Sequence, residues 1–428
     1  MMAAGCAAEL GADVLLLEKT DHPGKKILIS GNGRCNLTNT RELDSFIEMY
    51  GENGHFLYSA FNQFFRDDLL AFLKRYDVET TTDPDGKIYP VSQNAREIVR
   101  AFQHYLTDNK VQIQTGVSIS HLLVEDKRVV GVQTLTNIYP ASAVILATGG
   151  ASHPQTGSTG DGYCIAAEIG HTIIKIRPGL VPLLVTETKR AKSMQGVSLS
   201  NIRLTAFGCT ADEIDTSLIP IVDVGRGIPG KRPKPPVIEN RTGNAIITHF
   251  GLSGPIALEM SLAIVDGLKN GPVSVSIDLK PEVSADDLRE QLQRNFDRYT
   301  KRSYRNILSE ILQSKLVGPF LEMTRVPPEK LGNQITTEER ERLSSLIKSL
   351  RFNIKGPYSL STAMVTAGGI SLKEIDPYTM GSRLAEGLYF CGEVMDIDAS
   401  TGGYNLQAAF STGYVAGEHA AAYVLTGH

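Results

Sequence analysis

At 428 residues, with 42% hydrophobic and 21% charged side chains and forty glycines, the chain has the composition of an ordinary globular α/β protein and the length for two or three domains. A formal net charge of -4 gives no basic footprint for nucleic acid, and the five cysteines (Cys6, Cys35, Cys164, Cys209, Cys391) form neither a CxxC pair nor a metal-ligand spacing. Their odd number speaks against a disulfide framework and for a reducing cytoplasm, and no apolar run approaches the ~20 residues that cross a bilayer.

Met1–Leu10 reads as a small-residue helix ended by Gly11, followed by an apolar strand, Val14–Leu17, that closes on Glu18. That order is the second half of a dinucleotide-binding βαβ unit, in which an acidic residue at the end of the second strand takes the ribose hydroxyls about 20 residues after a Gly-rich turn. Only seventeen residues precede Glu18, so the first strand and its GxGxxG turn are expected to lie before Met1. The Gly/Asn-rich segment Ile29–Asn39 (ISGNGRCNLTN) comes next. Gly31 and Gly33 permit close approach to a ligand and Arg34 brings a fixed fork of donors, although the segment reads equally as a plain Asn-Gly turn.

Helices are expected at Asp67–Tyr76 and Ala95–Asp108. The short alternating segments Val111–Gln114, His121–Val124 and Val129–Thr134 suggest a β-meander, and Ala143–Thr148 an apolar strand running into ATGG. Small residues at Thr148, Gly149 and Gly150 then stand where the carboxyl end of a parallel strand meets a ligand. Roughly Thr186–Asp278 is rich in strand formers, interrupted by an expected exposed loop at Arg226–Pro236 (RGIPGKRPKPP). Charges and leucines at helical spacing fill Ser284–Arg351, after which α/β character returns. The strand Gly387–Cys391 delivers Gly392 and Glu393, and a loop with Gly402 and Gly403 feeds a helix expected from Asn405 to Leu425, whose free amides form a site for a partly negative oxygen. The expected domains are 1–185, the first part of a cofactor domain; 186–280, an inserted β-rich domain; 281–351, a small helical domain; and 352–428, the second part of the cofactor domain.

The segments GKKILISGNGRCNLTN (Gly24–Asn39), ATGGASHPQTGSTGDGYCIAAEIGH (Ala147–His171), THFGLSGPIALEMS (Thr248–Ser261) and the run from Val365 to Gly417 resemble the BaiN/YhiN-type flavoproteins, also called the aminoacetone oxidase family of FAD-binding enzymes. The resemblance spans nearly the whole chain. It implies a glutathione-reductase-type FAD-binding domain, a parallel sheet with a β-meander, split by a β-rich domain and a small helical domain. It also implies Glu18 and Lys19 on the adenosine ribose, Gly31, Asn32, Gly33, Arg34, Cys35 and Asn36 along the ribityl and flavin side, and the backbone of Val117 against the adenine. Thr148, Gly149 and Gly150 would line the cleft, Gly392 and Glu393 would meet the ribityl or pyrophosphate region, and the amides of Asn405 and Leu406 would face the flavin.

No residue pattern fixes the catalytic groups. His153, Tyr163, His249 and Tyr404 are candidate proton donors, and each reads equally as a structural side chain. THFGLSGP reads either as a substrate contact or as an interdomain hinge. The expected protein is a cytoplasmic FAD-dependent oxidoreductase acting on a small or steroid-like molecule, with NAD(P)H as a transient reductant or O2 as oxidant, and with neither nucleic acid nor membrane as partner. The alternative is a cofactor-poor, non-catalytic remnant of the fold that acts as a binding protein.

Overall fold

The computed structural model describes the chain except for residues 227, 229–232, 235 and 428, so most of the expected Arg226–Pro236 loop lies outside the described residues. The chain forms two compact units, Met1–Gly179 with Ser359–His428, and Leu180–Tyr358.

In the first unit the apolar strand Leu15–Glu18 pairs in parallel with Gln112–Thr115, Glu18 opposite Thr115. A second parallel pair joins Val144–Leu146 to Leu388–Phe390. Among the described residues each pair is a two-stranded sheet, and the other edge of Leu388–Phe390 is met by Met380–Ser382, whose Ser382 amide donates to the Leu388 carbonyl at 2.7 Å. The Gln112–Thr115 strand corrects the expected meander. Its four residues are all exposed, so an alternating pattern cannot place it, and it pairs in parallel with a strand some hundred positions earlier instead. The meander is built instead from His121–Glu125, Arg128–Gln133 and Ile138–Pro140.

Helix Met2–Glu9 packs on the C-terminal helix Gly402–Thr426 through small residues on both. A Cβ on Gly417 would stand 2.4 Å from the carbonyl oxygen of Ala3, which is why the contact requires glycine. The C-terminal helix starts at Gly402, three residues before the position expected from sequence, because Gly402 and Gly403 take helical geometry rather than forming a loop.

The second unit is a closed antiparallel barrel of Leu183–Val185, Gly251–Ser253, Val237–Ile247, Val197–Phe207, Val273–Asp278 and Leu350–Pro357. Helices Ala285–Arg298, Tyr304–Ile311, Ser314–Thr324 and Thr337–Lys348 bury Leu288, Leu292, Phe296 and Leu343 in the same apolar core as Val275 and Phe352 of the barrel.

Candidate cofactor site

Glu18, Lys19, Val117, Thr148 to Gly150, Gly392 and Glu393 follow the carboxyl ends of the parallel strands of the first unit, whereas Gly31 to Asn36 lie between helix Lys25–Ile29 and strand Thr38–Asn39, and Asn405 and Leu406 lie in the C-terminal helix. Glu18 ends its strand with one carboxylate oxygen accepting from the Thr20 amide at 2.7 Å and the Thr20 hydroxyl at 2.8 Å. The Val117 amide donates to the Glu18 carbonyl at 3.0 Å, which fixes the turn after the neighbouring strand against this strand end. Lys19 forms an ion pair with Asp161 and donates to Thr159 at 2.6 Å, tying the strand end to the start of helix Asp161–Glu168. Burial raises the Asp161 pKa, but hydrogen bonds from Lys19 and Thr159 outweigh it and hold the carboxyl below its ordinary range.

The segment after Gly24 is a tight left-handed passage. Gly31, Asn32, Gly33 and Cys35 all have positive φ (55°, 56°, 83° and 61°), so two residues bear strain that only glycine escapes. The Cys35 amide closes it on the Ser30 carbonyl at 3.0 Å. Arg34 is exposed, with its guanidinium 4.8 Å over the Tyr89 ring. Cys35 is fully buried and burial lifts its thiol to about 11, so it is no thiolate at neutral pH. Asn36, in the amide orientation that satisfies both its neighbours, donates to the Thr38 carbonyl at 3.0 Å and accepts from the Gly403 amide at 3.2 Å.

Glu393 is the hub. Its carboxylate accepts from the amides of Thr366 (2.7 Å) and Gly150 (3.3 Å) and forms an ion pair with Lys26, which also donates to Ser152 at 2.9 Å. A Cβ on Gly150 would lie 2.3 Å from the Thr366 hydroxyl and 2.9 Å from the Glu393 carboxyl carbon, so glycine alone lets the strand end approach this carboxylate. Thr148 is exposed at the same strand end, and Gly149 has φ +71°. Gly392 has φ +74° and its amide donates to Thr412 at 3.1 Å. Lys26, Ser152 and Thr366 carry this cluster yet gave no sequence signal. Lys26 stands 367 positions from Glu393, and nothing local marks such a pairing.

At the C-terminal helix, the earlier start changes which amides are free. Those of Gly402, Gly403 and Tyr404 precede the ladder, that of Gly403 being taken by the Asn36 side chain, whereas the Asn405 amide already reaches the Thr401 carbonyl at 3.5 Å and that of Leu406 lies one residue further in. The Asn405 side chain works locally, bonding the amide and carbonyl of Ala399 and the carbonyl of Thr401, each at 2.9 Å. The Thr401 cap makes no side-chain bond, and among the described residues the buried hydroxyls of Ser400 and Thr401 have no partner.

Of the candidate donors, burial and then nearby Lys26 lower the pKa of His153, which leaves it a neutral imidazole at pH 7. The Tyr163 hydroxyl donates to the Glu393 carbonyl at 3.3 Å, and burial followed by that carboxylate raises its pKa. Tyr404 is 2% exposed and its carbonyl accepts from the Tyr50 hydroxyl at 2.7 Å. His249 belongs to the second unit, where it lies edge-on to Phe250. The THFGLSGP segment runs there through the barrel strand Gly251–Ser253.

An open helix start, orphaned buried hydroxyls beside it and a glycine-lined strand end fit a flavin, whose pyrimidine edge offers acceptors and whose ribityl chain offers hydroxyls. The class of protein is therefore an FAD-binding oxidoreductase with a Rossmann-like domain. Residues 1–419 match the family described as HI0933-like protein Rossmann domain, and the chain belongs to that family. It is 32% identical over 411 residues to the 3-dehydro-bile acid delta(4,6)-reductase of Clostridium scindens, covering 96% of this chain and 93% of that one. It is 28% identical over 419 residues to the ribosomal RNA dihydrouridine synthase of Escherichia coli, covering 97% and 93%. The 3-ketosteroid-delta4-(5alpha)-dehydrogenase of Rhodococcus jostii RHA1 superposes with a TM-score of 0.44 at 12% identity, over 98% of this chain and 94% of that one.

Proposed function

We propose that the protein is a reductase that adds hydrogen across a conjugated carbon–carbon double bond of a small or steroid-like molecule, drawing electrons from NAD(P)H. The similarity over 96% of the chain to a bile acid reductase carries this reading. The name of the second relative, which makes a dihydro product, points to the same direction of electron flow. When bound, FAD supplies the two-electron carrier between the nicotinamide and the double bond.

The chain's own residues hold that carrier in place. Glu18 meets the ribose hydroxyls through the carboxylate oxygen that Thr20 leaves open. The amides of Gly402 and Tyr404 and the hydroxyls of Ser400 and Thr401 take the pyrimidine edge. Glu393 acts on the ribityl region mainly by fixing Gly150 and Thr366, because its own acceptors are filled by protein donors. A small substrate is preferred over ribosomal RNA because the formal net charge of -4 gives no electrostatic footprint for a polyanion. The five cysteines, none in a disulfide, suit a reducing cytoplasm.

Anaerobic mixing with NADPH or NADH tests the reading. Bleaching of the flavin, followed by its recovery on adding a 3-keto-4-ene steroid, is expected. Recovery with RNA but not with steroid would transfer the substrate to uridine. No bleaching, with peroxide formed from a small amine in air, would make the protein an oxidase. A colourless protein that takes up no FAD would favour the non-catalytic alternative.

A further inference from the structure

A cleft of about 1290 Å³ lies wholly within the second unit, and its residues include none of those in the candidate cofactor site. Helix Thr188–Ser193, barrel strand Leu350–Pro357 and helices Ala285–Arg298, Ser314–Thr324 and Thr337–Lys348 wall it. Several of its charges neutralise one another. Lys348 pairs with Asp278 at 2.6 Å and Arg289 with Asp286 and Glu341, whereas the Glu187 carboxylate is held by the neutral amide and side chain of Asn353.

Two guanidiniums are different. Arg190 donates to the Arg351 carbonyl at 3.0 Å and lies 5.8 Å over the Phe352 ring. Arg351 donates to the Ser349 hydroxyl at 2.9 Å and the Ala211 carbonyl at 3.0 Å. Both are half-buried and held by neutral acceptors, and among the described residues neither has a carboxylate within ion-pair distance. Lys189 and Arg325 add exposed positive charge to the rim, against the exposed acids Asp212 and Glu322.

We infer that this cleft binds an organic phosphate of nucleotide size, with its phosphate on Arg190 and Arg351. One fork saturates a planar carboxylate, whereas two forks lining one cleft match the larger acceptor set of a phosphate. The cleft, at about 1290 Å³, has room for a ligand of that size. Ile219, Pro319, Met323 and Leu346 form an apolar wall for the organic part.

Calorimetric titration of the full chain with AMP and with inorganic phosphate at low salt tests this. AMP should bind more tightly than phosphate, and weaken as sodium chloride is raised. Arg351→Gln should weaken AMP about tenfold. The exposed double variant K189A/R325A should weaken it at least twofold with an unchanged melting temperature, so the result stands even where Arg351→Gln fails to fold. Flavin content should be unaffected in each. No binding of AMP, equal affinity for AMP and phosphate, or unchanged affinity in both variants would overturn the inference. Tighter binding of a short RNA with a steep salt dependence would overturn it in favour of a nucleic-acid surface.

Discussion

Glu393 shows how one residue organises the candidate site. Its side chain is 17% exposed, and it joins a lysine from the Gly24–Asn39 segment to the ends of two separate strand–loop junctions. Glu393→Ala removes charged hydrogen bonds worth roughly 1.5–3 kcal/mol and leaves Lys26 with Ser152 alone, so a lower melting temperature and a lower flavin-to-protein ratio are expected. Unchanged values of both would show that the carboxylate is dispensable. His171 carries the pH dependence. It is buried, with one ring nitrogen 3.2 Å from Glu374 and the other 2.8 Å from the Ser382 hydroxyl. Burial lowers its pKa more than Glu374 raises it. The unfolded chain therefore takes up the proton first. Stability from this group is intact above the ordinary value of about 6.5 and falls as pH drops toward the folded-state value. Glu374, also lowered, adds a loss in the same direction at more acid pH. Thermal melts of His171→Gln should start lower at about pH 7.5 but decline less than wild type toward about pH 5.5.

At the scale of elements, the start of the C-terminal helix is the proposed seat of the flavin edge. Asn405 is not an open amide donor but a clamp that closes the Ala399–Thr401 turn with three bonds to main chain. Asn405→Ala should cost about 1–3 kcal/mol and lower flavin occupancy, because the Ser400 and Thr401 hydroxyls lose their fixed positions. Occupancy equal to wild type would separate this turn from the cofactor. The sequence showed Glu18 at a strand end, and Glu393 and the double glycine at theirs, because each is set by a local run of residues. It misplaced the helix start, since Gly402 and Gly403 read as a loop until packing makes them helical. It also drew Gln112–Thr115 into the meander, because a parallel partner so far upstream leaves no periodic mark. The barrel was hidden for the same reason. Val275 pairs with Phe352 across four intervening helices, and alternation reports strands without their neighbours.

At the scale of the molecule, the Rossmann-like class followed from strand and glycine order and is what the family match shows. The division of the remainder is a proposal of autonomy. The second unit has its own core and a closed barrel, and its two connections meet where the Tyr358 amide donates to the Pro182 carbonyl at 2.8 Å. Residues 180–358 expressed alone should give a cooperative melt, while a molten or aggregated product would show that the unit depends on the rest of the chain.

The central claim is that flavin held in the first unit passes electrons from NAD(P)H to a conjugated double bond. Its most direct test is the flavin's visible absorbance, followed anaerobically through reduction by NADPH or NADH and then on addition of a 3-keto-4-ene steroid. Rapid bleaching followed by stoichiometric recovery is the predicted result; a flavin that stays oxidised with both nucleotides would contradict it.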